Sequence, residues 1–370
     1  MKRRDFIKGA GAGAVAGAAT FAAPYATADS PRLRWRMTTS WPAALVTLFG
    51  GAEDFCERLS LLTGGRFTVR AYPAGELAGG LQVLDAVQDG SVQMGHTASY
   101  YYAGKEKTLA IDTALPFGMT ARMQNAWMYH GGGQDLLNQE VFSNFGVVSF
   151  PGGNTNTQMG GWFRKEVNGL DDLKGLKMRI PGFGGEVMSQ LGVNVQTLAA
   201  GEIYSALERG VIDATEFVGP ADDIRLGFHE VAKNYYAPSW WEPSAMFSIY
   251  VNKKEYDKLP PEYKEAIRIA CTDSNVRMIA QYDHMNPIAV KELLAKGVKL
   301  RRFSEEIMAA AEKIAFEMYE DLASENKTWA AVYRPWKKFR DSQYAWFNAN
   351  EQVYQDYALR QVDLSKIGDI

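Results

Sequence analysis

The side chains with the clearest binding chemistry lie between residues 148 and 242, where one arginine and two carboxylates stand beside glycine or aromatic residues. Arg179 ends an apolar-basic strand pattern, Glu216 follows an apolar one, Glu242 follows a tryptophan pair, and Gln158 adds an amide oxygen. A guanidinium can form two parallel hydrogen bonds with a carboxylate, and carboxylate and amide oxygens suit Na⁺ or Ca²⁺. The set therefore suits a small carboxylate held beside a cation rather than a reaction centre.

A simpler arrangement explains the same residues. Partly buried carboxylates need a counter-charge, so Arg179 could pair with one glutamate while the other is solvated. Local sequence alone favours this arrangement, because two glutamates and one arginine do not by themselves require a ligand.

The elements that would position these side chains begin with a strand, a helix and a second strand. Alternating apolar residues predict strands over 33–37 and 67–71, and a shared apolar face predicts a helix over 48–62 that ends at Gly64-Gly65. Right-handed βαβ units of this kind indicate a mostly parallel sheet covered by helices.

A short internal similarity indicates two related lobes. Residues 84–93 resemble residues 204–213, and each segment has the pattern of a helix that ends at a glycine, Gly90 or Gly210, before a strand. One helix-turn-strand unit in each half of the chain predicts two similar α/β lobes.

The C-terminal part is helical in pattern from Phe303 onward, with a predicted break near Pro335. Trp329, Tyr333 and Trp336 recur at the spacing of one helix face. They could pack on the protein's own lobes or form a dimer interface, where aromatic residues are enriched. The sequence leaves both open.

Residues 1–28 have the pattern of a twin-arginine export signal. Arg3-Arg4 precede a glycine- and alanine-rich run, and Ala26-Thr27-Ala28 offers a small-x-small cleavage site. The alternative is an uncleaved membrane anchor, which the many glycines and Pro24 disfavour. We expect a mature periplasmic protein.

The charge balance bears on the partners of the protein, and the two cysteines bear on disulfide formation. The chain has 40 basic and 43 acidic residues, and this balance gives no reason to expect nucleic acid as a partner. Cys56 and Cys271 lie in apolar helix-like patterns and are predicted to be buried free thiols, although pairing stays open in an oxidising compartment.

Six segments resemble the substrate-binding proteins of tripartite ATP-independent periplasmic (TRAP) transporters, in the branch that binds 2-oxo acids such as pyruvate, or lactate, with a metal ion. The segments are 100–102, 127–133, 150–164, 175–179, 210–220 and 240–242. The resemblance implies an α/β, two-lobed periplasmic-binding-protein fold, type II-like, with hinge strands and a long C-terminal helix. It also implies TRAP permease subunits as partners and a homodimer through that helix.

The resemblance implies the following division of the chain: lobe I from residues 29–152 and about 245–285, lobe II from 153–244 and about 286–325, and a helical extension over 326–370. It assigns the substrate carboxylate to Arg179. The implied cation ligands are Gln158, Glu216, Glu242 and the backbone carbonyl of Phe217, where close relatives carry tryptophan. Further substrate contacts are expected from Gln158, Asn154 and Tyr101.

The sequence also bears on three other functions. His130-Gly131-Gly132-Gly133 matches an esterase oxyanion loop, but no G-x-S-x-G elbow occurs in the chain. The only dinucleotide-like glycine run lies in the signal, at residues 9–13, which removes a dehydrogenase. Ligand capture for a sensor protein cannot be separated from transport by sequence. We expect a binding protein rather than an enzyme, with Na⁺ or Ca²⁺ undecided.

Overall fold

The computed structural model describes residues 30–361 and residue 367, so the predicted export signal lies outside it. The strands are β1 (Leu33–Thr39), β2 (Phe67–Tyr72), β3 (Met94–Thr97), β4 (Val147–Asn154), β5 (Trp162–Phe163), β6 (Lys177–Arg179), β7 (Asn194–Gln196), β8 (Ala214–Thr215), β9 (Asn234–Ala237), β10 (Met246–Asn252) and β11 (Lys299–Arg302). The helices are α1 (Leu48–Leu62), α2 (Val83–Gln88), α3 (Leu109–Thr113), α4 (Ala121–Tyr129), α5 (Gly133–Glu140), α6 (Gly182–Gln190), α7 (Ile203–Glu208), α8 (Pro220–Asp223), α9 (Phe228–Val231), α10 (Lys253–Asp257), α11 (Pro261–Ala295), α12 (Glu305–Glu325), α13 (Lys327–Phe347) and α14 (Val353–Ala358).

These strands form two sheets, one in each lobe. The sheet of lobe I has the order β2-β1-β3-β10-β4, and that of lobe II has the order β11-β9-β5-β8-β6-β7. The predicted β1-α1-β2 unit is present, with β1 and β2 parallel from Leu33 opposite Phe67. Gly64 and Gly65, both at positive φ, follow α1 where the sequence predicted its end. The two-lobed α/β prediction is confirmed.

The expectation of mostly parallel sheets is wrong in one respect. The interior strand β10 runs antiparallel to both β3 and β4, and β5 runs antiparallel to both β8 and β9. Strand β10 follows a crossing of the chain from lobe II to lobe I, and β5 follows a crossing in the other direction. Each strand therefore enters its sheet from the neighbouring lobe and not through a βαβ crossover.

The internal similarity corresponds to equivalent structure in the two lobes. Helix α2 ends before Gly90 and leads to β3, whereas α7 ends before Gly210 and leads to β8. Both glycines have positive φ, 81° and 70°, which is the left-handed conformation that commonly ends a helix.

Helix α11 joins the two lobes along its 35 residues. In its first half the Ser274 hydroxyl lies 3.1 and 3.0 Å from carbonyl oxygens of Gly51 and Gly152 in lobe I. In its second half the Tyr282 hydroxyl donates to Asp222 of α8 at 2.5 Å. The helix is therefore bonded to both lobes by side chains about two turns apart.

The burial of Asp222, the partner of Tyr282, makes folding stability depend on pH, and the Tyr282 hydroxyl opposes the resulting shift in pKa. Burial raises the pKa of Asp222 to about 7, whereas an unfolded aspartate titrates near 3.9. The contribution of the neutral Asp222 carboxyl to the free energy of unfolding is complete below about pH 4 and is lost as the pH rises through about 7.

We expect Asp222→Asn, which retains an acceptor for the Tyr282 hydroxyl, to reduce this dependence. The fall in the free energy of unfolding between pH 5 and pH 8 should be smaller than in the wild type by on the order of 1–3 kcal/mol. Urea unfolding at both pH values measures it. An identical fall in both proteins would contradict the assignment.

The C-terminal helices correct one sequence expectation and decide between two arrangements that the sequence left open. The break lies at Asn326, whose side chain caps α13, and α13 continues through Pro335. Trp329, Tyr333 and Trp336 are at most 1% exposed, so they pack on the protein's own lobes rather than form a dimer interface. This packing holds the helix together around the proline, which lacks an N–H donor.

Cys56 and Cys271 are buried in the same apolar cluster of lobe I and are free thiols. Within the described residues, no helix combines the length and apolar character needed to cross a membrane.

Candidate functional site

Arg179 lies at the carboxyl end of β6, three residues before α6 begins at Gly182, and is 1% exposed. Its guanidinium forms an ion pair with the Glu216 carboxylate, donates to the Glu216 carbonyl oxygen at 3.1 Å and to that of Leu198 at 3.2 Å. The ion pair that the sequence offered as the simpler arrangement is thus present. It is fully buried rather than exposed to solvent.

Glu216 follows β8, and a close backbone approach brings the 158–161 segment beside it. Gly161 has φ of 82°, and a Cβ atom there would lie 2.4 Å from the Thr215 carbonyl oxygen, so only glycine fits. The Met159 N–H then donates to the Val218 carbonyl at 3.0 Å. This contact places Gln158 next to the strand end that carries Glu216.

Glu242 reaches the same place from the segment that returns to lobe I. The Gln158 N–H donates to the Glu242 carbonyl at 3.4 Å, and the Glu242 N–H donates to the Ser239 hydroxyl at 3.2 Å. Glu242 is 2% exposed and Gln158 3%. Residues far apart in the chain therefore converge in one buried place, as the sequence predicted.

Five polar atoms of the sequence-predicted residues are buried without a hydrogen-bond partner in the described part of the chain. Three are oxygens and two are donors: Gln158 Oε1, Glu216 Oε2, Glu242 Oε2, Arg179 Nη2 and Asn154 Nδ2. A buried polar group without a partner is costly. The three oxygens could coordinate a cation, and the two donors could bind a carboxylate. These are the two ligands that the sequence predicted.

The electrostatics show a deficit of positive charge. Burial raises the pKa of Glu216 although Arg179 opposes this, and burial followed by the Glu216 charge raises the pKa of Glu242 well above its usual range. One guanidinium cannot neutralise two buried carboxylates. A bound cation would supply the missing charge.

Lobe I contributes tyrosines from the 3₁₀ helix Ser99–Tyr102. The Tyr101 hydroxyl interacts with the Arg179 guanidinium, and burial raises its pKa to about 12. Tyr100 lies beside Glu242, where its hydroxyl opposes the rise in the pKa of that carboxyl, and sequence reasoning missed this neighbour. Gly182 permits this approach, because a Cβ there would lie 3.2 Å from the Tyr100 Cβ. The run of three tyrosines could have indicated both residues, but the sequence predicted only that Tyr101 would reach the site.

Phe217 and Asn154 are placed differently from the other predicted residues. The Phe217 ring is buried, with its centroid 5.9 Å from the Arg179 guanidinium carbon and 6.1 Å from the Phe228 ring. Asn154 is fully buried at the end of β4, and its side-chain oxygen accepts the Asn156 N–H at 2.8 Å. The Asn154 amide nitrogen is thereby left to face another group.

Residues 37–326 match bacterial extracellular solute-binding protein, family 7. The chain belongs to this family. A monocarboxylate 2-oxoacid-binding periplasmic protein from Nostoc sp. is 52% identical over 331 residues, which are 90% of each chain.

Two solved structures of TRAP solute-binding proteins are similar in fold and sequence. One from Bordetella bronchiseptica, a mixed-occupancy dimer with copurified calcium and picolinate, has a TM-score of 0.88 and 44% identity, covering 89% of this chain and 98% of that one. One from Pseudoalteromonas atlantica, with sodium and pyruvate, has a TM-score of 0.85 and 38% identity, covering 88% and 99%.

The donor set of this family 7 protein fits a cation only if neutral oxygens take part. Residues 30–361 contain no group of three or more His, Cys, Asp or Glu side chains placed to hold a metal. Glu216 and Glu242 would need amide or backbone oxygens beside them, and Gln158 Oε1 is such an oxygen. Oxygen-only coordination suits Ca²⁺ or Na⁺ better than zinc or copper.

Proposed function

We propose that this solute-binding protein captures a small 2-oxo monocarboxylate, such as pyruvate, together with Ca²⁺ or Na⁺. The observation that carries this proposal is the set of buried, unpartnered oxygens and donors at the junction of the lobes. The 2-oxoacid-binding relative supports the ligand class. The relatives with bound calcium or sodium support the cation.

Arg179 binds the ligand carboxylate in this proposal. Its Nη2 atom is buried and unpartnered, while Nη1 and Nε are fixed by Glu216 and the Leu198 carbonyl. A guanidinium fixed on one side offers its free donor in a set direction, so little rotamer entropy is lost on binding. Asn154 Nδ2 and the Tyr101 hydroxyl are proposed to contact the remaining ligand oxygens.

Gln158 Oε1, Glu216 Oε2, Glu242 Oε2 and the Phe217 carbonyl are the proposed cation ligands. The cation supplies positive charge between the two carboxylates and the ligand. The amide of Gln158 is held for this role, because its Nε2 lies 3.3 Å from the Thr155 hydroxyl and its oxygen is thereby directed away.

In this proposal the protein binds its ligand without a chemical reaction, and binding is coupled to closure of the two lobes. Tyr100 and Tyr101 of lobe I meet Glu242 and Arg179, and a surface ion pair between Lys107 and Glu186 joins the lobes nearby at 2.5 Å. A ligand that contacts both sets of residues binds the closed form better and therefore shifts the population toward it. The closed form would be recognised by TRAP permease subunits.

Isothermal titration of pyruvate into the mature protein tests this function. The protein is unfolded and refolded to remove copurified ligand, then titrated in the presence of Ca²⁺ or of Na⁺. We expect one-to-one binding in the micromolar range or tighter, about −8 kcal/mol. An absence of heat with either ion, together with binding of a dicarboxylate, would contradict the proposed ligand class.

Export and assembly complete the proposal. Residues 1–28 are proposed to direct twin-arginine export to the periplasm and to be removed there. A homodimer is proposed through the C-terminal helices, where exposed aromatic side chains continue beyond the buried ones; these are Trp346, Tyr354 and Tyr357, 58–69% exposed. Large exposed apolar side chains in one region are typical of an interface.

A further inference from the structure

A turn of lobe I, residues 116–119, is held by parts of the chain that are distant in sequence. Its second residue, Phe117, has φ of 54°. This left-handed conformation is rare for bulky side chains. It persists only where surrounding contacts impose it, and such contacts approach this turn from two sides.

On one side, the C-terminal helices donate to three consecutive carbonyl oxygens of residues 116–118. The Tyr319 hydroxyl donates to the first at 3.2 Å, and Arg340 Nε donates to the second at 2.7 Å. The Tyr344 hydroxyl lies 3.1 Å from the second and 2.6 Å from the third. Arg340 is 7% exposed, and its guanidinium lies over the Tyr344 ring at 3.9 Å. These side chains hold the turn rigidly.

On the other side, the turn holds the segment that carries Glu242. The Phe117 N–H donates to the Trp240 carbonyl at 2.8 Å, and the two rings stack at 5.4 Å with an interplanar angle of 15°. The Ser244 hydroxyl donates to the Met119 carbonyl at 3.1 Å. Trp240 and Ser244 lie two residues before and two residues after Glu242. The turn therefore fixes the backbone on both sides of a proposed cation ligand.

We propose that Arg340 and Tyr344 are positioning residues for the binding site, which act through the 116–119 turn on Glu242. The inference rests on the role of Glu242 in the proposed function. Neither side chain is among the buried groups that meet around Arg179. Cation coordination tolerates errors of only a few tenths of an ångström, so a small displacement of a ligand-bearing segment is enough to weaken binding.

A purely structural role for the same contacts has a different signature. If Arg340 and Tyr344 only stabilised the fold, their replacement would lower the melting temperature of the ligand-free protein and leave the affinity of the folded molecules unchanged. A positioning role lowers the affinity for Ca²⁺ and for pyruvate beyond any change in stability.

The test uses Arg340→Met, which keeps the packing but loses the donor, and Tyr344→Phe, which loses one oxygen atom. Calorimetry measures Ca²⁺ binding alone, then pyruvate binding at saturating Ca²⁺, and thermal unfolding is measured without ligand. We expect about tenfold weaker binding of both for Arg340→Met, and several-fold weaker binding for Tyr344→Phe. Arg340→Lys, which can still donate to the turn, should recover part of the affinity.

Matched controls make the same chemical changes elsewhere. Arg334→Met alters an exposed arginine of α13, and Tyr204→Phe removes a hydroxyl that bonds Glu230 in lobe II; both should bind like the wild type. If Arg340→Met does not fold, Tyr344→Phe still decides. Affinities within twofold of the wild type in both variants would overturn the positioning role. A wild type that binds Ca²⁺ but not pyruvate would contradict the proposed ligand, while the Ca²⁺ titrations would still test the positioning role.

Discussion

Replacement of Arg179 by methionine is expected to weaken pyruvate binding more than a hundredfold. The guanidinium is buried, and its Nη2 atom, which carries two N–H groups, has no hydrogen-bond partner in the described residues. Charge-assisted hydrogen bonds contribute about 1.5–3 kcal/mol each, and two of them to one carboxylate correspond to a factor of on the order of 10²–10⁴. Calorimetric titration of pyruvate at saturating Ca²⁺ measures the loss.

Loss of Arg179 also removes the counter-charge of Glu216, so a folding defect has to be separated from a binding defect. Removing one partner of a buried ion pair costs about 3–5 kcal/mol. The double variant Arg179→Met with Glu216→Gln removes both charges and is expected to recover stability but not binding. Arg209→Met, at an exposed position of lobe II, is the matched control. If folded Arg179→Met binds pyruvate within fivefold of the wild-type affinity, Arg179 does not bind the ligand carboxylate.

The parts of the fold that depend on residues close together in the sequence could be predicted from the sequence. The apolar face and terminal glycines of α1, and the repeated helix-glycine-strand unit, required only near neighbours in sequence. The antiparallel strands β5 and β10 could not be predicted in this way. The residues Trp162-Phe163 form a strand only because Thr215 and Tyr235 lie on either side of Trp162 in the folded sheet.

The same distinction applies to the site. Arg179, Glu216 and Glu242 could be proposed from the sequence because each stands where an apolar segment ends, whereas the role of Gln158 followed from the family resemblance. Their meeting depends on close backbone approaches, such as that at Gly161, which no local pattern reveals.

Two features depend on contacts between distant parts of the chain and were not predicted. Phe117 adopts a left-handed conformation that its residue type disfavours. Helix α13 continues through Pro335 because buried aromatic side chains hold both halves. In both places tertiary contacts override local preference.

Removal of the cation is expected to abolish tight pyruvate binding, and the charge of the site predicts which ion restores it. Glu216, Glu242 and a monocarboxylate carry three negative charges, and Arg179 carries one positive charge. Ca²⁺ makes the buried site neutral, whereas Na⁺ leaves one negative charge. An uncompensated buried charge is costly, so Ca²⁺ should restore affinity at least tenfold better than Na⁺. Titration in chelator, with each ion added back separately, measures this difference.

Glu242→Gln provides the sharper form of this test, because it removes one negative charge and retains an oxygen ligand. The site would then be neutral with Na⁺ and positive with Ca²⁺, so the preference for Ca²⁺ should fall by at least tenfold or reverse. Glu292→Gln, at an exposed position of α11, should leave the preference unchanged. If pyruvate binding is insensitive to chelation, the cation takes no part in binding. An unaltered ion preference in folded Glu242→Gln would show that Glu242 does not share in the charge of the site, because a carboxylate in contact with the cation cannot be neutralised without changing the ion that the site favours.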